Sequence, residues 1–202
     1  MGYDMRIIET IETDKAKAAE LRAVREDLWQ KVTEQPHGTP ESKAAFEAWD
    51  KADNEYQEVA DPGYFRLNNS GMSVYWRVMF DLGMLCDIRC PVGRDEWPDY
   101  PENADNDSDL YRQWEARNLE LCGRHGDGPM ILPSFKFTSN DGWHVTPAEI
   151  NGALEVYAKY QTDPNSVGDL KEDTLEILAT DYWGKWINYL QRAAAHGGFR
   201  VR

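Results

Sequence analysis

Ser139-Asn140-Asp141-Gly142-Trp143-His144-Val145-Thr146-Pro147-Ala148-Glu149 carries three structural signals in one short run. Ser139 to Gly142 reads as a tight turn, because Asn, Asp and Gly accept the backbone angles a turn needs. Trp143 to Val145 reads as the strand that leaves it. Thr146-Pro147-Ala148-Glu149 is a capping box with Pro at the first helical position. Its hydroxyl and carboxylate satisfy backbone N–H groups that a helix start leaves unpaired. Turn, strand and helix in such close succession predict an α+β chain.

On the N-terminal side of this run, Pro129 to Phe137 reads as an extended stretch that forms a hairpin with the Trp143 strand. The helix after the capping box extends through Leu154 and Tyr157 to about Gln161, and Thr162 to Asp173 reads as a loop. A last helix places Trp183, Trp186, Ile187, Leu190 and Ala194 on one face, with Tyr182 and Tyr189 as the ring positions expected to be exposed. His196-Gly197-Gly198 ends it, and Phe199 to Arg202 is a final strand. At the other end of the chain, Tyr3, Met5 and Ile7 alternate with Asp4 and Arg6, a period of two. Thr13 and Asp14 cap a helix carrying Leu21, Val24, Leu28 and Val32. Thr39-Pro40 starts another, with Phe46, Trp49, Ala52, Tyr56 and Val59 along one side. Tyr64 to Leu67 is a short strand, Asn68 to Gly71 turns the chain, and Met72 to Leu85 has helical spacing. Leu110 to Leu121 is helical as well.

This order does not alternate as a doubly wound sheet would. It predicts a single α+β domain over residues 1–202, with a small, mainly antiparallel sheet packed with helices. An N-terminal helical hairpin occupies 13–60, and an irregular acidic segment occupies 86–128. The segment from Asp95 to Asp109 holds seven acids and no base.

With 36 acidic and 22 basic residues, the 202-residue chain carries a net charge of −14. That charge argues against direct nucleic-acid binding, since phosphates are drawn to Lys and Arg. Taken alone, it reads first as a charge that keeps the protein soluble, and it permits a basic protein partner docking on the acidic stretch and the hairpin. No run reaches the roughly 18 apolar residues of a membrane helix. The first ten residues lack the charged-then-apolar pattern of a signal peptide, so the expected setting is the cytoplasm.

Two constellations stand out as candidate sites. Cys86-x3-Cys90 followed by Cys122-x2-His125 has the form of two chelating pairs, which would hold a structural zinc ion. Arg66, Asn68, Asn140, Asp141, Trp143 and His196 fall at strand ends, a turn and a helix end. Such positions gather around one rim of a sheet, where Arg clamps an anion, Asn and Asp read polar edges, and Trp stacks. No phosphate-loop, dinucleotide, metalloprotease or nucleophile-elbow motif is present, and no catalytic residue is assigned. The expected function is therefore non-enzymatic binding of a polar or nucleotide-like small ligand. An acidic interaction module and a structural-zinc protein are the alternatives.

Met1-Gly2-Tyr3-Asp4-Met5, Tyr64-Phe65-Arg66-Leu67-Asn68, Ser139-Asn140-Asp141-Gly142-Trp143 and Ala195-His196-Gly197-Gly198-Phe199 together give a resemblance across most of the chain. The chain resembles a family of uncharacterised proteins from actinobacteria and the phages that infect them. That resemblance implies a bacterial or phage setting, and it brings no activity and no residue roles with it.

Overall fold

The computed structural model describes residues 2–36, 38–102, 105, 107–139 and 141–202. The fold is α+β, as the sequence predicts. The chain divides into two compact units, residues 10–64 and residues 1–9 with 65–202.

The smaller unit is the helical hairpin. Asp14 caps α1 (Lys15–Glu34) by accepting from the Lys17 N–H, and Thr39 caps α2 (Pro40–Ala60) through Ser42. The Thr13 hydroxyl reaches the Ala60 carbonyl at 3.5 Å, so the start of α1 lies beside the end of α2. Arg25 links the helices by pairing with Asp53 and lying over the Tyr56 ring. Trp29 and Trp49 meet at 4.9 Å between ring centres, yet Trp29 stays 47% exposed and Phe46 48%.

The larger unit is built on a four-stranded sheet in the order β2-β1-β6-β5. Its strands are β1 (Gly2–Ile7), β2 (Tyr64–Asn68), β5 (Trp143–Val145) and β6 (Phe199–Val201). β6 runs antiparallel to both neighbours, with Met5 opposite Val201 and Val145 opposite Phe199. Period-two alternation sends Met5, Phe199 and Val201 into the core, while Arg6 and Arg200 pair across the other face.

Helices seal the core, among them the one that follows Thr146, through Ile150 and Ala153. α3 (Asn69–Asp81) contributes Met72, Tyr75, Val78 and Met79. α7 (Asp181–Ala195) contributes Trp183, Trp186, Ile187, Leu190 and Ala193 at helical spacing. Tyr189 belongs to this buried set, with its ring 5.4 Å from Phe199, so the exposed role expected of it falls to Tyr182 alone, which is 52% exposed. Gly197 and Gly198 both adopt positive φ and swing the chain from α7 directly into β6. A Cβ on Gly198 would lie 2.2 Å from the Val145 carbonyl oxygen, so this turn admits no other residue.

Three local expectations are corrected. Asn68 to Gly71 is not a free turn: the Asn68 side chain accepts from the Gly71 N–H and starts α3 there. Within the stretch expected to be loop, Pro164–Val167 forms a 3-10 turn, and α6 (Glu172–Leu178) begins at its last two residues. The stretch before Trp143 does not form a hairpin with it. Leu132–Pro133 (β4) instead runs parallel to Leu85–Cys86 (β3) in a separate two-stranded sheet. Ser134 to Phe137 then coils into a 3-10 turn, which draws the Lys136 ammonium inward to the carbonyl of His144 and the carboxylate of Glu149. No described helix is long and apolar enough to cross a membrane.

Candidate functional site

The capping box that decides the fold also anchors a buried polar network. α5 (Pro147–Thr162) starts with the Thr146 hydroxyl accepting from the Glu149 N–H, and the Thr146 N–H donates to Glu149 Oε2 at 2.7 Å. Glu149 is fully buried, and so is Lys136. Lys136 Nζ donates to Glu149 Oε1 at 2.7 Å, to Oε2 at 3.0 Å and to the His144 carbonyl at 2.6 Å. His125 adds a fourth contact, its Nδ1 lying 2.5 Å from Glu149 Oε1, while its Nε2 faces the Pro129 carbonyl at 3.1 Å. Both ring nitrogens thus face acceptors. Burial pulls the Lys136 ammonium below its ordinary value, against the opposing pull of Glu149. Every donor of this ammonium is used, so the network clamps α5, the 3-10 turn and the 125–129 loop together and presents no free group to a substrate.

His144 follows a similar logic on β5. Its Nε2 lies 2.9 Å from the Gly197 carbonyl, and burial pulls it below its ordinary value of 6.5 against the opposing pull of that hydrogen bond, with Arg200 and Lys136 adding to the lowering and Glu149 opposing it. The unfolded chain therefore takes up this proton first as pH falls through 6.5. Stability present above that pH is lost on acidification. His144→Gln keeps a donor for Gly197 and removes the titration. Its melting temperature is expected to fall less between pH 7.5 and pH 5.5 than that of the wild type, measured by circular dichroism.

The four predicted zinc ligands are placed apart in function. The Cys86 thiol faces the Leu132 carbonyl at 3.6 Å, Cys90 faces the Val92 carbonyl at 3.7 Å, and Cys122 faces the Asp141 carbonyl at 3.5 Å. His125 is engaged at both nitrogens. Burial pushes the Cys122 thiol up to about 11 and raises Cys86 as well, which holds both as thiols. Among the described residues, no three His, Cys, Asp or Glu side chains come together as metal ligands.

The predicted rim residues divide between the two edges of the sheet. Arg66 and Asn68 lie on β2, with Arg66 facing Asp4 at 3.7 Å and Asn68 capping α3. Trp143 lies on β5, at the opposite edge. Two strands intervene, a separation of roughly 14 Å at the usual interstrand spacing. Trp143 is 4% exposed, wedged edge-on between Phe135 and Trp97, with its indole N–H on the Ser139 hydroxyl. His196 caps α7, before β6 begins, and its carbonyl accepts from the Glu9 N–H. Asn140 lies outside the described residues.

Asp141 does line a cleft, in company the sequence reading did not assemble. α4 (Asp109–Cys122) presents Tyr111, Trp114, Glu115, Asn118 and Cys122 to it, a single stripe at spacings of three and four. Arg200 and Arg202 form the facing wall, on the same side of the terminal strand because they are two residues apart. This lobe encloses about 250 Å³. A second lobe of about 500 Å³ shares Trp114, Asn118 and Asp141 and is closed by Trp97, Pro98 and Tyr100. The Trp114 indole N–H donates to the Pro98 carbonyl at 3.3 Å, and the Tyr100 ring meets Trp114 edge-on at 5.1 Å. Those two contacts fix the start of the acidic segment against α4. Glu96 in the same segment is held by Arg124 at 2.6 Å and by the Gly93 N–H, and both contacts pull its carboxyl below the usual range.

Arg200 Nη1 donates to the Gly142 carbonyl at 2.9 Å, which sets the direction of the guanidinium. Among the described residues, no carboxylate lies within ion-pair distance of Arg200 or Arg202, although acids outnumber bases in the chain. The signal for this wall was present in the sequence: Phe199 and Val201 alternate with Arg200 and Arg202, so burying the first pair turns the second outward. The chain matches no family model, no curated protein and no solved structure.

Proposed function

We propose that the chain is a non-enzymatic binding protein whose cleft between α4 and the β5–β6 end of the sheet takes a polar or nucleotide-like small ligand. The observation that supports this most directly is Arg200. It is a half-buried cation that, among the described residues, has no carboxylate within ion-pair distance, and it is aimed by its bond to Gly142 in a chain of net charge −14. A desolvated guanidinium is stabilised by an anion with two oxygens, which it binds through paired donors. The remaining lining suits the same ligand, since Asn118 and Asp141 offer directed donors and acceptors and Trp114 offers an aromatic surface. The lobe of about 500 Å³ falls in the size range of small-molecule sites, and the lobe of about 250 Å³ adds to it. The cleft thiol, Cys122, is pushed up to about 11, which argues for binding over nucleophilic chemistry.

Asn118 lines both lobes, so Asn118→Trp fills the junction between them. A panel of polar metabolites is screened by thermal shift against both proteins. At least one compound is expected to raise the melting temperature of the wild type and leave Asn118→Trp unmoved. Ligand at a hundred times its Kd adds about 2.7 kcal/mol of stability, enough to read clearly. A panel in which every response is equal in the two proteins would count against the cleft.

A further inference from the structure

The two lobes of the cleft differ in chemistry. Arg200 and Arg202 lie in the smaller lobe, and Trp97 and Tyr100 close the larger one, with Trp114, Asn118 and Asp141 common to both. From this segregation we infer that the ligand is a single phosphate monoester carried by a flat ring, a nucleoside monophosphate in class, with its phosphate against Arg200 and Arg202 and its ring against the wall formed by Trp97, Tyr100 and Trp114. This inference rests on the reading of the cleft as a ligand site.

The smaller lobe limits the charge it accepts. Its two guanidiniums share about 250 Å³ with the carboxylates of Glu115 and Asp141, so the lobe as a whole balances two charges of each sign. One phosphate gains charge-assisted bonds from both arginines. Two further phosphates would press against Glu115 and Asp141 in a chain that already carries −14, so a triphosphate is disfavoured. Arg200 is held by Gly142, which reduces the ordering lost on binding. In the larger lobe, three aromatic side chains suit a flat heterocycle of any base identity, because stacking on a π face is tolerant of sequence. Asn118 and Asp141 stand at the junction, where a sugar would present its hydroxyls.

The test uses the full chain, labelled with nitrogen-15. It is titrated with the four common ribonucleoside monophosphates, the matching nucleosides and triphosphates, and inorganic phosphate. The Trp97 and Trp114 indole N–H and the Arg200 Nε–H signals are followed. At least one monophosphate is expected to shift all three signals, and to bind at least tenfold more tightly than its nucleoside, its triphosphate or inorganic phosphate. Arg202 and Tyr100 are exposed, and among the described residues their side chains make no hydrogen bond or ion pair beyond the Tyr100–Trp114 edge contact, so their truncation is expected to leave the fold intact. Arg202→Ala is expected to weaken the monophosphate about tenfold and leave the nucleoside unchanged. Tyr100→Ala is expected to weaken both. Equal binding of a nucleoside or of inorganic phosphate, or tighter binding of a triphosphate, would overturn the inference while leaving the cleft as a ligand site. Silence of all three signals across this panel would also overturn it. The broader reading then stands or falls separately on the Asn118→Trp screen.

Discussion

Glu149→Gln is expected to lower the stability of the larger unit by about 3–5 kcal/mol, because it breaks a fully buried ion pair from one side. The amide oxygen can still accept from the Thr146 N–H, but its NH2 group then faces the Lys136 ammonium or the His125 ring. Lys136 keeps that amide oxygen and the His144 carbonyl as neutral acceptors, and has no carboxylate to balance its charge. The variant relieves itself by shedding the Lys136 proton. The unfolded chain holds that proton up to about 10.5, and the folded variant gives it up earlier. Raising pH through that window therefore favours the folded form, so the defect is expected to shrink between pH 7 and pH 9.5. Urea unfolding followed by near-ultraviolet circular dichroism reads it, since Trp183 and Trp186 are buried in this unit.

The double variant Lys136→Met with Glu149→Gln separates the pair from its surroundings. With the ammonium gone, a Gln NH2 at 149 can donate to His125 Nδ1, and the ring N–H at Nε2 still donates to the Pro129 carbonyl. The carbonyl of His144 alone loses its partner. The double variant is expected to be less destabilised than the sum of the singles by about 2 kcal/mol. Strict additivity would show that Lys136 and Glu149 contribute independently.

The same network shows which parts of the chain are legible from the amino-acid sequence alone. The capping box was legible because both of its partners lie within one helical turn, and helix starts at Asp14, Thr39 and Thr146 follow the same local rule. Lys136 was not legible, because its carboxylate partner is 13 positions away and its own stretch has no periodicity that marks it as buried. The cysteines illustrate a related gap. Spacing places Cys86 and Cys90 near each other along the chain, but the direction of each thiol is set by the carbonyl it meets in the packed structure. Arg66 and Asp141 look equivalent as polar residues at strand ends. Strand order separates them, and strand order is fixed by which apolar faces meet, a long-range outcome. The cleft arginines lie between these cases. Their side of the strand follows from alternation with Phe199 and Val201, whereas the helix that faces them does not.

Gly152→Ala and Gly184→Ala are expected to move stability in opposite directions, although both glycines sit inside helices. By intrinsic propensity each substitution favours the helix by about 1 kcal/mol. At Gly184 in α7, a Cβ would meet nothing within 4 Å, so propensity is the whole effect and the variant is expected to be stabilised by up to that amount. At Gly152 in α5, a Cβ would fall 1.8 Å from the Met130 carbonyl oxygen and 3.0 Å from the Met130 carbonyl carbon. That obstacle is backbone, so a side-chain rotation cannot relieve it. The 129–131 segment would have to withdraw, and it is tied on both sides. Leu132 donates its N–H to the Met84 carbonyl next to the β3–β4 ladder, and the Pro129 carbonyl faces His125 of the buried network. Withdrawal therefore loosens the small sheet and one corner of the Glu149 cluster together. The cost is expected to exceed the propensity gain by about 3 kcal/mol, at the upper end for an overpacked core. Measuring both variants in one urea series makes the comparison internal. If Gly152→Ala were stabilised like Gly184→Ala, the close approach of α5 to the Met130 backbone would be wrong, and with it the reason this helix carries a glycine beside Asn151.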